Sequence, residues 1–188
     1  MRREFFGVTD HFAVLGLPRA AWTEAEELKE RFLRLSAQQH PDAAGGSSEM
    51  FAKLNAAWQA LREPAGCLRH FLELDHPATL AATPAAHAPV ELADLFMDIA
   101  ALRQTGQKFR AKFATASSPL TRAMLEPERV ALRARIATLA LEIETRSAEI
   151  ARAVRAENPT AQQLATALAS LVFLGKWSAL LAEMQFAL

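Results

Sequence analysis

Apolar side chains recur at steps of three and four along almost the whole chain, and only 7 of its 188 residues are glycine. That period brings every third or fourth side chain to one side of an α-helix, whereas a half-buried strand would alternate. The fold class it predicts is all-α. Apolar residues make up 51% of the chain and charged ones 22%, with a net charge of +0. Such a chain buries a real core, yet it has no bulk field to gather nucleic acid or an anionic membrane. Its one cysteine, Cys67, forms no internal disulfide, and the Met1 to Phe6 start lacks the apolar run of a signal peptide or spanning helix. The expectation is a cytoplasmic protein with no membrane or nucleic-acid role.

Helix signals divide the first 75 residues into four. A short helix over Asp10–Leu15, capped by Thr9 or Asp10, stops at Gly16-Leu17-Pro18. A second opens at Thr23, with a capping box to Glu26, and runs to about Gln39, burying Leu28, Phe32 and Leu35. Pro41 has no amide to donate and disfavours the helical conformation at residue 40, so His40-Pro41-Asp42 starts a loop that Ala43-Ala44-Gly45-Gly46 extends. Ser47 or Ser48 caps a third helix carrying Phe51, Leu54, Trp58 and Leu61. So short a connection predicts an antiparallel helical hairpin with the tripeptide at its tip. Pro64 suits the first position of a fourth helix, with Leu68, Phe71 and Leu72 on its apolar face.

Residues 76–90, rich in proline and alanine and poor in apolar bulk, read as a linker between a 1–75 domain and a helical bundle over 91–188. The bundle's first helix spans Glu91–Gln104, with Leu92, Leu95, Ile99 and Leu102 inward. After a break at Ser117-Ser118-Pro119, the second begins near Pro127 and ends at Asn158-Pro159. Thr160 caps the third. That last helix is apolar on two faces: Leu164, Leu168 and Leu171 on one, Phe173, Trp177, Leu180 and Met184 on the other. Both must be covered, whether by the bundle core, a partner or a second copy of the chain.

The hairpin with its His-Pro-Asp tip resembles the J-domain family. Leu28 to Asp42 is similar to that family's second helix and loop, and Phe51-Ala52-Lys53-Leu54-Asn55-Ala56-Ala57-Trp58 to its third helix. The resemblance implies a co-chaperone, not itself an enzyme, that docks on the ATPase domain of a DnaK-type chaperone and accelerates ATP hydrolysis there. His40, Pro41 and Asp42 would carry that contact, together with Lys29, Arg31, Arg34 and Gln38 of the second helix. These residue types suit the task. Proline fixes the turn, histidine offers two ring nitrogens, and aspartate offers an acceptor for a cation on the partner. Arg31, Arg34 and Gln38 cluster on one flank, away from Leu28, Phe32 and Leu35. Two departures stand out: Glu24, Glu26, Glu27 and Glu30 dilute the positive field, and Ala43 stands where many members have lysine.

Four helices, a linker and a bundle, with Leu61-Arg62-Glu63-Pro64 leading into an apolar fourth helix, look like the HscB type of iron–sulfur co-chaperone. That resemblance implies an HscA-like chaperone partner and a bundle that holds the scaffold protein on which clusters are built. It rests in the bundle on two stretches, residues 95–103 and 171–176. The scaffold-binding candidates are Phe96, Met97, Ala100, Gln104 and Phe173; acidic residues usual in the family's patch are replaced by Ala101 and Gln104. The alternatives are a bundle that binds another client or forms a homodimer, and a helical interaction protein that stimulates no ATPase. No metal or other cofactor is expected. The five histidines and Cys67 share no ligand spacing, and the chain has neither a phosphate loop nor a nucleophile elbow.

Overall fold

The computed structural model describes residues 9–43, 45–83, 89–155 and 158–188. The Met1 to Phe6 start, Ala44 and residues 84–88 of the expected linker lie outside the described residues. Among those described there are α-helices, one 3-10 turn and no strand, so the chain is all-α. By their contacts the residues divide into two units, 1–85 with 151–168 and 86–150 with 169–188. Segment 151–168, expected within the bundle, thus groups with the N-terminal helices. One cause is Arg155, whose guanidinium pairs with Glu24 at 2.6 Å and lies 5.2 Å over the Trp22 ring.

In the first unit, α1 (His11–Val14) is capped by Asp10, whose carboxylate accepts the Ala13 amide at 3.1 Å. Arg19 bridges that carboxylate and Asp75, at 2.8 and 3.0 Å. Burial pushes the Asp10 carboxyl up, but the Ala13 amide and Arg19 together outweigh it and hold the group below its ordinary range. Helix α2 (Ala25–Gln39) starts two residues after Thr23, with Glu24 at the cap position and no side-chain cap bond. The expected Thr23–Glu26 capping box is therefore absent. Thr23 Oγ1 instead accepts from the Cys67 thiol, at 3.8 Å, while Glu26 and Glu27 complement the helix dipole from the first turn.

Helix α3 (Ser48–Leu61) is capped by Ser47, whose Oγ accepts the Met50 amide, and α4 (Pro64–Asp75) begins on Pro64 as predicted. Phe12, Leu15 and Leu17 meet Leu28 of α2, Leu54, Ala57 and Leu61 of α3, and Cys67 of α4 in one core. Each such leucine contributes ~1.5–3 kcal/mol by leaving water. Gln39 meets Ser47, His40 meets Phe51, and Phe32 stacks on Trp58 at 4.9 Å. The end of α2 thus meets the start of α3, and Phe32, earlier in α2, meets Trp58, later in α3, so the pair is an antiparallel hairpin. Beyond α4 the linker reading fails in part. Residues Pro77–Ala82 form a short helix, α5, because Pro77 occupies its first turn and the alanines that follow favour helix.

The second unit is built on α6, α7 as far as Ile150 and α8 from Ala169 onward. A 3-10 turn, Val90–Leu92, leads into α6 (Ala93–Thr115). This helix outruns its expected end at Gln104, because Leu102, Gly106, Phe109 and Phe113 keep apolar or small positions on the same face. Helix α7 (Pro119–Arg155) starts eight residues before Pro127, which lies inside it. Ser118 explains the early start: its Oγ accepts the Thr121 amide at 3.1 Å and Pro119 fills the first position. At ~1.5 Å per residue α7 reaches roughly 55 Å. Helix α8 (Ala161–Phe186) opens with a reciprocal box, Gln163 N–H to Thr160 Oγ1 at 3.3 Å and Thr160 N–H to Gln163 Oε1 at 2.8 Å. Leu95, Ile99 and Phe109 of α6, Leu132 and Ile136 of α7, and Leu174, Trp177 and Leu181 of α8 share one core.

By length and composition α8 is apolar enough to cross a membrane, with a mean hydropathy of 1.6 over its most apolar window, of which 44% is buried. Packing accounts for that composition: Leu164, Leu168, Leu171, Leu174 and Leu181 are all buried.

Candidate functional site

The end of α2 is set by proline chemistry. His40 leaves the helix at φ −57°, ψ 137°, the extended conformation that a following proline imposes. Pro41 and Asp42 then occupy the middle of a turn closed by the Ala43 amide, which donates to the His40 carbonyl at 2.9 Å. Within the turn, the Asp42 amide donates to His40 Nδ1 at 3.2 Å. A neutral His40 ring therefore carries its proton on Nε2, a donor left for a partner. The ring meets the edge of Phe51 on α3, centroids 5.3 Å apart. The Asp42 side chain is 91% exposed and the His40 side chain 51%, so the tripeptide stands open with its backbone and ring already held. Phe51, noted in sequence only as a core position, is also a support of the loop.

Along α2, about 100° per residue brings Arg31, Arg34 and Gln38 within about 60° of one another. Arg34 and Gln38 are exposed and Arg31 is half-buried. Lys29, also exposed, falls on the opposite flank, about 140° from Arg34, with Leu33 between them at 56% exposure. Among the described residues none of Lys29, Arg31 or Arg34 has an ion-pair partner. The basic groups are therefore uncommitted on a face whose centre is apolar.

The sequence that forms this hairpin and its tip has a match among known proteins. Residues 10–67 match the DnaJ domain. The segment is 43% identical over 58 residues to the chaperone protein DnaJ of Caldicellulosiruptor bescii, which covers 29% of this chain and 14% of that relative. It is 39% identical over 57 residues to the DnaJ of Thermosynechococcus vestitus and 37% identical over 57 residues to that of Listeria monocytogenes, at 29% and 15% coverage in each case. The match thus spans about a seventh of the length of these relatives. No solved structure matches the chain significantly. The matched segment takes in α1, α2, α3 and the start of α4.

Elsewhere in the first unit, Cys67, His11 and His70 make contacts inside the fold. The Cys67 thiol is buried and donates to the Ala20 carbonyl and Thr23 Oγ1, and burial pushes it up from its ordinary value. The His11 amide donates to His70 Nε2 at 3.0 Å, with the His70 ring against Phe12 and its Nδ1 3.4 Å from Glu73. Burial first, then the neighbouring His70, lowers the His11 pKa. Among the described residues no three of His, Cys, Asp and Glu are grouped to hold a metal ion.

The bundle candidates separate. Phe96, Ala100 and Gln104 line one shallow groove of about 420 Å³ between α6 and α8, closed by Trp177 and Leu180 with Arg103 at its edge. Phe96 is 49% exposed and its ring lies 6.1 Å from that of Trp177. Phe173 does not line the groove but packs on the core, 5.8 Å from Trp177 and under the Lys176 ammonium. Met97, 65% exposed, lies outside the groove as well. The sequence placed Trp177 and Leu180 on the second apolar face of α8 without joining them to Phe96. The signal was their shared step of three on α8, readable only once the α6–α8 pairing is known.

Proposed function

We propose that this protein is a J-domain co-chaperone that stimulates the ATPase of a DnaK-type chaperone in the cytoplasm and catalyses no reaction of its own. The observation that carries the reading is the pre-held His40-Pro41-Asp42 tip beside the unpaired Lys29, Arg31 and Arg34, in a segment that matches the DnaJ domain. Asp42 offers a carboxylate to a cation on the partner, His40 offers Nε2–H, and the basic flanks meet an acidic surface. Binding the hydrolysis-competent state of the partner more tightly than its other states supplies the acceleration. Steady-state ATPase assays with the cognate chaperone test this: wild type raises the rate and His40→Gln does not. Equal stimulation by both removes the reading.

For the bundle we propose the HscB-like role, delivery of an iron–sulfur scaffold protein to an HscA-like chaperone. Support comes from the exposed Phe96 and Met97 and from the α6–α8 groove that Phe96, Ala100 and Gln104 line. A specific observation favours a second reading, another client or a second copy of this chain: Ala101 and Gln104 stand where acidic residues are usual in the family's patch, and Arg103 lines the groove beside Gln104. Titrating the scaffold against wild type and a Phe96→Ala, Met97→Ala, Phe173→Ala variant separates them. The first reading expects binding that the substitutions abolish; binding that ignores them, or none, leaves the second.

A further inference from the structure

The loop that carries the tripeptide returns to α3 by passing directly against its own beginning. Ala43 N–H donates to the His40 carbonyl, Gly46 N–H donates to the Ala43 carbonyl at 2.9 Å, and Ser47 N–H donates to the Gln39 carbonyl at 3.3 Å. These three bonds tie Ala43 and Ser47 back to the end of α2 and Gly46 to Ala43. The two glycines in this return do different jobs. Gly45 has φ +83°, and a side chain there would meet nothing within 4 Å. Its requirement is conformational, and asparagine, which visits the left-handed region more readily than other side chains, meets it with the least strain. Gly46 is constrained by space. A Cβ at Gly46 would lie 1.9 Å from the His40 carbonyl oxygen, 2.8 Å from its carbon and 3.2 Å from the Ala43 oxygen.

All three of those atoms are backbone, so no side-chain rotation relieves the clash. Ordinary C···O contact begins at about 3.3 Å, so the His40 peptide and the returning strand would have to part by more than about 1 Å. The same peptide fixes the turn that points Asp42 outward, and the ring on it is held between the Asp42 amide and the edge of Phe51.

We propose that Gly46 is a positioning residue for the docking tip, required because only a residue without a side chain lets the loop clasp the His40 peptide. The inference rests on the co-chaperone reading for its functional consequence, though not for its geometry. The test compares Gly46→Ala with Gly45→Asn in the full chain, using two readouts. One is the NMR signals of the His40 ring protons, which the Phe51 ring current marks. The other is stimulation of the DnaK-type ATPase. Gly46→Ala is expected to shift the His40 signals and to cut stimulation by about tenfold or more. Gly45→Asn is expected to leave the His40 signals in place and to change stimulation by less than about twofold, and the Trp58 fluorescence is unchanged in both.

Unmoved His40 signals in Gly46→Ala overturn the proposal, as do shifted signals with full stimulation. If wild type stimulates no chaperone, the co-chaperone reading falls, while the His40 signals alone still decide the positioning. If Gly46→Ala does not fold, Ala43→Pro, which removes the amide bound to the His40 carbonyl, is judged by the same two readouts.

Discussion

The tip of the α2–α3 hairpin and the groove between α6 and α8 are both surfaces a partner can reach, but they are built in opposite ways. At the tip, backbone and ring atoms have assigned partners: the His40 carbonyl holds the Ala43 amide, Nδ1 holds the Asp42 amide, and the ring leans on Phe51. What remains exposed is the Asp42 carboxylate, 3.6 Å from His40 Nδ1, and one imidazole donor. In the groove the walls are Phe96, Ile99, Trp177 and Leu180, and the polar groups that line it, Arg103, Gln104 and Gln107, have no ion-pair or hydrogen-bond partner among the described residues. A surface of the first kind selects by direction and loses function when an angle changes. One of the second kind gains affinity from area and tolerates change. The difference is why the co-chaperone proposal rests on the tip and not on the groove.

The strongest perturbation of this contrast is Trp177→Ala. Trp177 is 8% exposed at the centre of the bundle core, so the expected loss is ~3–5 kcal/mol of stability, read by urea unfolding. Stimulation of the chaperone ATPase, assayed well below the unfolding transition, stays at the wild-type level if the two surfaces act separately. A parallel fall in stimulation breaks the separation. Asp42→Asn gives the converse result. Its side chain is 91% exposed, so stability changes by less than ~0.5 kcal/mol while stimulation falls about tenfold, ~1.4 kcal/mol of docking energy. Retained stimulation would mean that the carboxylate is not the acceptor the partner uses.

How much of this was legible in the sequence follows the same line. The helical hairpin and its tip were readable because Pro41, Ser47 and Pro64 act locally, each through its own amide or hydroxyl. The Thr23–Glu26 box was misread because a long-range partner, Cys67, takes the threonine hydroxyl. Pro127 was misread as a start because Ser118 and Pro119 nucleate the helix two turns earlier. Residues 77–82 were assigned to a linker on proline content, although Pro77 followed by alanines also begins a helix. Lys29 was grouped with Arg31 and Arg34 by charge, and helical rotation separates them. Phe96, Ala100 and Gln104 of the groove were named from α6 alone, but their meeting with Trp177 and Leu180 was not legible, since it exists only where α6 and α8 pair.

A smaller effect sharpens the account within the J-domain. His11 has its pKa lowered by burial and by His70, so the unfolded chain takes up a proton at about pH 6.5 and the folded one only at lower pH. That stability is fully present above pH 6.5 and is lost as pH falls through the lowered value. Asp10 and Glu73 oppose this shift through their charge. His11→Phe should flatten the fall in thermal midpoint between about pH 6.5 and pH 5, measured by circular dichroism. An unchanged slope would assign the acid sensitivity to other groups, Asp10 first among them, whose depressed carboxyl acts in the same direction at lower pH.

The central claim is that the held His-Pro-Asp tip acts on a chaperone's ATP hydrolysis, and single-turnover hydrolysis measures that step directly. A DnaK-type chaperone preloaded with ATP is mixed with wild type or with His40→Gln, and the rate of phosphate formation is followed. The account predicts a rate that rises and saturates with wild type and stays at the basal value with His40→Gln. A wild-type rate equal to the basal one, or equal acceleration by both proteins, would contradict it.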